Sequence, residues 1–150
     1  MLRRLAIEDM DAAAAVHRTA FDQALPTLAG LHTPAEDRWF FRERIFPACQ
    51  LWGWSSGQEL VGFIAFRDAW IDQLYVLPTW QGRQIGLTLL NVAKDRFAHL
   101  SLWTFQRNQT ARKFYEKHGF RLVSETDGAR NEEKEPDVLY SWRRDHLHQE

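Results

Sequence analysis

Residues 71–90, IDQLYVLPTWQGRQIGLTLL, constrain the fold more than any other stretch of the chain. An extended apolar run ends at Pro78, a turn carries Gln81, Gly82 and Arg83, and an amphipathic segment starts near Gln84. When a strand feeds a glycine-bearing turn and then a helix, the first helical N–H groups lack intrahelical partners and carry partial positive charge. Such a turn accepts phosphate oxygens. Gly82 and Gly86 let the backbone approach a ligand closely, and Arg83 can fork two N–H groups onto one phosphate. An ordinary strand-to-helix connection with a solvated arginine is the competing reading.

A second segment narrows the choice. Residues 100–121, LSLWTFQRNQTARKFYEKHGFR, begin as a strand over 100–105. They continue through Asn108, an N-cap residue type, into a helix with Ala111, Phe114, Tyr115 and His118 on one side. Gly119 stands where a left-handed residue commonly ends a helix. Together the two segments resemble the acyl-coenzyme A-binding core of the GNAT (general N-acetyltransferase) superfamily. Val76 and Pro78 match its Val-x-Pro, and Gln81 and Gly86 match the Gln-x-x-Gly-x-Gly that follows. Asn108, Ala111, Phe114, Tyr115, Gly119 and Phe120 match its Asn-x-x-Ala-x-x-Phe-Tyr-x-x-x-Gly-Phe pattern. The resemblance covers roughly residues 60–121 and departs from the pattern at Gln84, which stands where the first glycine of the Gly-x-Gly pair is expected.

The resemblance implies an α/β fold of the α+β type. Its mixed, mostly antiparallel central sheet has about seven strands with a central parallel pair, flanked by about four helices. Acetyl-CoA is the implied co-substrate. Its diphosphate would rest on the amides of Gln81, Gly82, Arg83, Gln84, Ile85, Gly86 and Leu87, with Arg83 as the side-chain contact. Pantetheine would add like a strand along Leu74, Tyr75 and Val76, and the Leu74 amide would polarise the thioester carbonyl. Asn108 matches a position that contacts the pantetheine region, and a pure helix N-cap accounts for it equally well.

Tyr115 matches the family's general acid. A phenol of unperturbed pKa ~10 stays protonated at neutral pH and lies near a thiol's ~8.5, so it suits protonation of a leaving thiolate. The structural alternative is a tyrosine packed against the sheet through its ring. For the base that takes the amine proton, period-two alternation puts Trp70, Asp72, Leu74 and Val76 on one strand face. Asp72 is then the leading candidate; a strand-edge carboxylate paired with a basic neighbour, or a water chain, are the alternatives.

Composition closes off other classes. The 150 residues suffice for one domain spanning 1–150, and 45% hydrophobic with 26% charged residues is a globular balance. A net charge of −1 and a pI near 6.6 give no basic footprint, which argues against nucleic acid as the partner. Cys49 is the only cysteine, and no apolar run approaches the ~18 residues of a membrane span, so the chain reads as cytoplasmic with no membrane partner. No metal site is expected: the histidines show no ligand spacing, apart from the His146/His148 pair near the end. Seven Trp and ten Phe supply both core and pocket rings, and exposed tryptophans are compatible with a homodimer.

Along the chain, a strand is expected over 2–7 and a helix from Glu8 to Leu25. A second helix is capped by Thr33, Pro34 and Glu36 and stops at Pro47. A hairpin turns near 55–58, strands follow at 70–77 and 100–105, and helices at 84–97 and 108–118. Two last strands, 120–125 and 138–143, flank the polar loop 126–137, and 144–150 reads as a frayed tail. The acids of that loop (Glu125, Asp127, Glu132, Glu133, Glu135, Asp137) outnumber Arg130 and Lys134, which suits a cationic amine as well as a plain solvated surface. The reading these residues favour is acetyl transfer from acetyl-CoA to a primary amine of a small molecule by direct attack in a ternary complex. Peptide or protein N-acetylation, and a coenzyme A-binding sensor without turnover, are the alternatives.

Overall fold

The computed structural model describes residues 1–144; residues 145–150, including His146 and His148, lie outside the described residues. Its strands are β1 Leu2–Arg4, β2 Gln50–Ser56, β3 Glu59–Arg67, β4 Trp70–Val76, β5 His99–Phe105, β6 Arg121–Glu125 and β7 Asp137–Arg143. They form one seven-stranded sheet in the order β1-β2-β3-β4-β5-β7-β6. Only β4 and β5 run parallel. Four helical segments flank it: α1 Met10–Ala24, α2 Pro34–Phe40 with an extension to Ala48, α3 Ile85–Arg96 and α4 Gln109–Lys117. The implied mixed sheet with a central parallel pair and four helices is the one observed.

β1 is shorter than the expected 2–7. The Asp9 carboxylate takes the Ala6 N–H at 2.8 Å and a two-pronged contact from Arg3 at 2.9 and 3.0 Å, so the chain turns into a 3-10 turn at Ile7–Asp9. In α2, Thr33 Oγ1 accepts from Glu36 N at 3.1 Å while the Glu36 carboxylate accepts from Thr33 N at 2.7 Å, the expected capping box. The helical path does not stop before Pro47. Proline has no N–H to donate and its ring crowds the carbonyl four residues back. The path absorbs this by widening over Phe41–Ile45, where the Phe46 N–H reaches Phe41 O, and it then ends at Phe46–Ala48.

Central strand β3 is buried on both faces over residues 60–66. On one face Met10, Ala13 and Ala14 of α1 pack with Phe41, Phe63 and Ala65; the small alanines let the helix lie close to the sheet. On the other, Leu89, Leu90 and Ala93 of α3 pack with Ile64, Phe66, Leu100 and Tyr140. Gly119, at φ +94, ends α4, and Lys94 donates to His118 O at 2.7 Å with its ammonium 4.8 Å from the Trp142 ring. Arg144 is anchored rather than frayed, since its N–H donates to Ala98 O at 2.7 Å and its guanidinium to Lys94 O at 2.8 Å. Among the described residues no helix is long and apolar enough to cross a membrane.

Candidate active site

The parallel pair is joined at one end only. Trp70 and Ser101 are its single registered pair, with the Ser101 N–H on Ala69 O at 2.8 Å. Beyond them the strands part, and a cleft of about 890 Å³ opens between residues 71–76 of β4 and Trp103 and Thr104 of β5. The Leu77 N–H donates to Val61 O at 2.8 Å. Antiparallel alternation then turns the backbone of Gln73 and Tyr75 towards β3, and that of Leu74 and Val76 towards the cleft. Leu74 therefore turns its strand groups, and Val76 its N–H, unpaired towards the cleft. Tyr75 does not offer its backbone: it lines the cleft with a ring packed at 4.7 Å on His17.

At the mouth of the cleft stands the N-terminus of α3. The amides of residues 82–87 have no hydrogen-bond partner among the described residues; the first bond into the helix is Thr88 N to Gln84 O at 3.0 Å. Gly82 (φ +79) and Gln84 (φ +69) both take the left-handed conformation. Gln84 thus reproduces the turn that glycine would make, at a strain cost of ~1–2 kcal/mol. Gly86 has a packing reason as well, since a Cβ there would sit 3.3 Å from the Phe114 ring. The Arg83 side chain is not among those lining the cleft; its guanidinium stacks 4.7 Å from the Trp80 ring. Gln81 behaves differently from expectation. Its side chain reaches back to donate to Val76 O at 3.0 Å, so it occupies the strand carbonyl that a pantetheine amide would use.

Tyr115 lines the opposite wall. Its ring packs on Phe114 and Phe120, both at 5.3 Å, and its hydroxyl makes no hydrogen bond within the described protein. Burial, with the nearby Tyr75 phenol adding to it, pushes the Tyr115 phenol well above its ordinary value. Asn108 Oδ1 accepts from Ala111 N at 3.1 Å. The N-cap role is real, and the side-chain NH₂ remains available to the cleft that Asn108 lines.

Asp72 departs from expectation. The β3–β4 register slips between Ala65 and Phe66, so Ala65 faces Gln73 while Phe66 faces Ile71, and Asp72 is the extra residue. Alternation breaks there. The Asp72 carboxylate accepts from Cys49 Sγ at 3.3 Å and pairs with Arg67 Nε at 3.1 Å, and Cys49 packs with the α1-side cluster. Leu74 packs with the α3-side cluster, so the two do not share a face. The Asp72 carboxylate is engaged by its own neighbours rather than standing free as a base. Burial, reinforced by the Asp72 charge, pushes the Cys49 thiol up to about 12, which leaves it inert.

Several cleft residues were not singled out in the sequence. Ala20, Gln23 and Ala24 of α1 line one wall, at helical spacing along the end of an alanine-rich helix, and Trp103 and Thr104 close β5. The rule that ligands gather at the carboxyl ends of parallel strands pointed to that region without selecting them. Gln73 also lines the cleft; its Oε1 and the neighbouring His17 Nδ1 are buried without partners. Four acids of loop 126–137 are engaged, two within the loop and two by side chains outside it. Asp127 caps Ala129 N, Glu132 meets His32, Glu135 meets Arg107, and Asp137 binds Thr126 and Asn131. Among the described residues no three His, Cys, Asp or Glu side chains converge as a metal site.

A parallel pair that splays beside an unpaired helix N-terminus leaves a cleft shaped for a long, phosphate-bearing ligand lying edge-on to the sheet. The sequence model of the Acetyltransferase (GNAT) family matches residues 14–120. The chain belongs to this family and is a GNAT N-acetyltransferase. It is 31% identical over 103 residues to the peptidyl-lysine N-acetyltransferase YiaC of Escherichia coli K12, covering 67% of this chain and 68% of that one. The apo-form YjaB structure from Escherichia coli superposes with a TM-score of 0.79 at 20% identity, over 97% of this chain and 98% of that chain. The PaiA N-acetyltransferase of Thermoplasma acidophilum in complex with coenzyme A gives 0.71 at 21% identity, over 95% and 98%.

Proposed function

We propose that the chain transfers the acetyl group of acetyl-CoA to a primary amine of a small molecule, by direct attack in a ternary complex. The observation that carries the reading is the pair of unpartnered main-chain sets on one cleft, the amides of residues 82–87 at the helix start and the cleft-facing groups of Leu74 with the Val76 N–H. Amides at a helix N-terminus suit a diphosphate, and free strand groups suit the amides of pantetheine. Arg83 supplies the side-chain contact, and Gln81 yields Val76 O to the ligand.

The amine nitrogen attacks the thioester carbon, the carbonyl oxygen gains negative charge, and the C–S bond then breaks to release the thiolate. The Leu74 N–H stabilises the developing oxyanion; a donor of this kind contributes ~2.7–4 kcal/mol. Tyr115 donates its proton to the departing sulfur. Its phenol and a free thiol of pKa ~8.5 are poorly matched, but desolvation raises a thiol as well. The amine proton leaves through water held in the cleft, since Asp72 is paired with Arg67 and Cys49.

A lysine side chain is the second acceptor this chemistry admits, and the similarity to YiaC favours it. A sensor without turnover fits less well, because Gln84 keeps the glycine-like turn. Acetyl-CoA is expected to raise the melting temperature by binding the native state. A panel of small amines and lysyl peptides, read by free-thiol release, identifies the acceptor. No thermal shift at saturating acetyl-CoA would sink the reading.

A further inference from the structure

Two polar atoms beside the cleft are idle in the fold. Gln73 Oε1 and His17 Nδ1 are both buried, and neither has a hydrogen-bond partner among the described residues. An unpaired buried acceptor is destabilising, and a native fold that keeps one calls for a reason outside folding. The two side chains belong together. Gln73 acts on the His17 imidazole as a hydrogen-bonding neighbour, and it lines the cleft. His17 is fixed by rings on three sides, Phe21 and Phe41 at 5.6 Å and Tyr75 at 4.7 Å. Burial lowers the imidazole to about 4, so at neutral pH it is uncharged and one of its nitrogens is an acceptor.

Gln73 also stands on one defined side of the reacting centre. Along β4, Leu74 packs with the α3-side cluster and Tyr75 with the α1-side cluster. Gln73 meets His17 of α1, so it shares the α1 face with Tyr75. Tyr115 belongs to the α3-side cluster. A thioester on the Leu74 N–H therefore has the carboxamide on one side and the phenol on the other, so that nitrogen enters from α1 and sulfur leaves towards α4. Asp72, the acid that lines the same cleft, is already paired with Arg67 and Cys49.

We infer that Gln73 is a catalytic residue of the acetyl transfer and His17 its positioning residue: the carboxamide turns so that its Nε2 donates to His17 Nδ1 while its Oε1 accepts from the attacking nitrogen of an aliphatic primary amine. The inference rests on the proposed amine acetylation and deepens it. The terminal torsion of a glutamine is broad and close to two-fold, so the turn is easy, and it gives both idle atoms a partner. As the nitrogen pair forms the C–N bond, the carbonyl pair moves onto oxygen beside Leu74 and the nitrogen becomes positive. Its hydrogen bond to Oε1 is then charge-assisted and roughly twice as strong. The oxygen pair re-forms the carbonyl, the C–S bond breaks with its electrons on sulfur, and sulfur takes the Tyr115 proton. The ammonium proton passes to water, and Tyr115 regains one from solvent. A bond that strengthens only after the amine is bound acts on kcat rather than KM.

Gln73→Met keeps the side-chain length and removes both polar atoms. Its kcat for n-butylamine should fall about 10–100-fold, with the amine KM within about threefold and the acetyl-CoA Kd within about twofold of wild type. Its Tm should equal or exceed that of wild type, because the idle acceptor is gone. Gln73→Glu presents an oxygen at the same reach and should hold kcat within about fivefold of wild type. His17→Phe should lower kcat by about three- to tenfold, and His17→Asn, which restores an acceptor near the Nδ1 position, should recover it. A hexapeptide with a blocked N-terminus and one lysine presents the same aminoalkyl group and should follow the same order of variants. Full kcat in Gln73→Met would overturn the catalytic role. So would a loss shared by Gln73→Glu and accompanied by a lower Tm, which marks a structural residue. Full kcat in His17→Phe overturns the positioning role of His17. A wild type that binds acetyl-CoA yet acetylates neither probe overturns the amine seat, whereas no thermal shift with acetyl-CoA fails the proposed function itself, and the role of Gln73 falls with it.

Discussion

Tyr115 combines a buried ring with a hydroxyl on the cleft, and the two can be separated by one atom. Tyr115→Phe keeps the contacts to Phe114 and Phe120, so folding and acetyl-CoA affinity should hold while turnover falls ~10²–10⁴-fold, the usual size of a general-acid contribution. Because burial holds the phenol above its ordinary value, Tyr115 should add no alkaline limb to the rate below pH ~10. Stopped-flow turnover beside a coenzyme titration checks both parts, and equal turnover in the two proteins would remove the acid role. The position was readable from the sequence because a fixed motif carries it. Asp72 was not readable, since one extra residue in β4 reverses the face of a side chain and leaves no mark on alternation.

At the scale of elements, the boundaries that local chemistry controls were readable and those set by pairing were not. The capping box of α2, the N-cap Asn108 and the stop at Gly119 follow from side chains acting within a few residues. The parting of β4 from β5 depends on what packs above and below the two strands, and their separate sequences say nothing of it. The start of α3 lies between these cases. Gln84 holds φ +69 with no side-chain cap bond. Replacement by glycine relieves ~1–2 kcal/mol of left-handed strain and returns ~0.5–1 kcal/mol as extra freedom of the unfolded chain. Gln84→Gly should therefore stabilise the protein by roughly 0.5–1 kcal/mol, raising Tm by about 1–4 °C. Coenzyme affinity should be retained, because the amides of 82–87 keep their directions. A fall in Tm would mean that the Gln84 side chain holds something the backbone geometry does not reveal.

Across the whole molecule, the layer between α1 and the sheet carries a titratable group that couples stability to pH. The His17 ring lies between Phe21 and Phe41, both at 5.6 Å, and Tyr75 at 4.7 Å. Desolvation, then the charge of Arg18, lowers it to about 4, against smaller opposing effects from Asp37, Gln73 and Asp22. The folded state thus favours neutral His17. Above pH ~6.5 both states leave it neutral and the full stability is present. As pH falls towards 4, the unfolded chain binds a proton that the folded chain refuses, and stability is lost at up to ~1.4 kcal/mol per unit, on the order of 3 kcal/mol over the window. The carboxyls of Asp9 and Glu36 are held below their ordinary values, so their losses come lower on the scale. His17→Phe suits the aromatic surroundings and removes the proton site. Its Tm should stay nearly flat between pH 6.5 and 4.5, where the wild type declines. Because His17 adjoins Gln73 on the cleft, the same protonation should loosen α1 from β4 and weaken acetyl-CoA binding in the wild type alone. Parallel slopes in the two proteins would show that the acid sensitivity of the fold arises elsewhere.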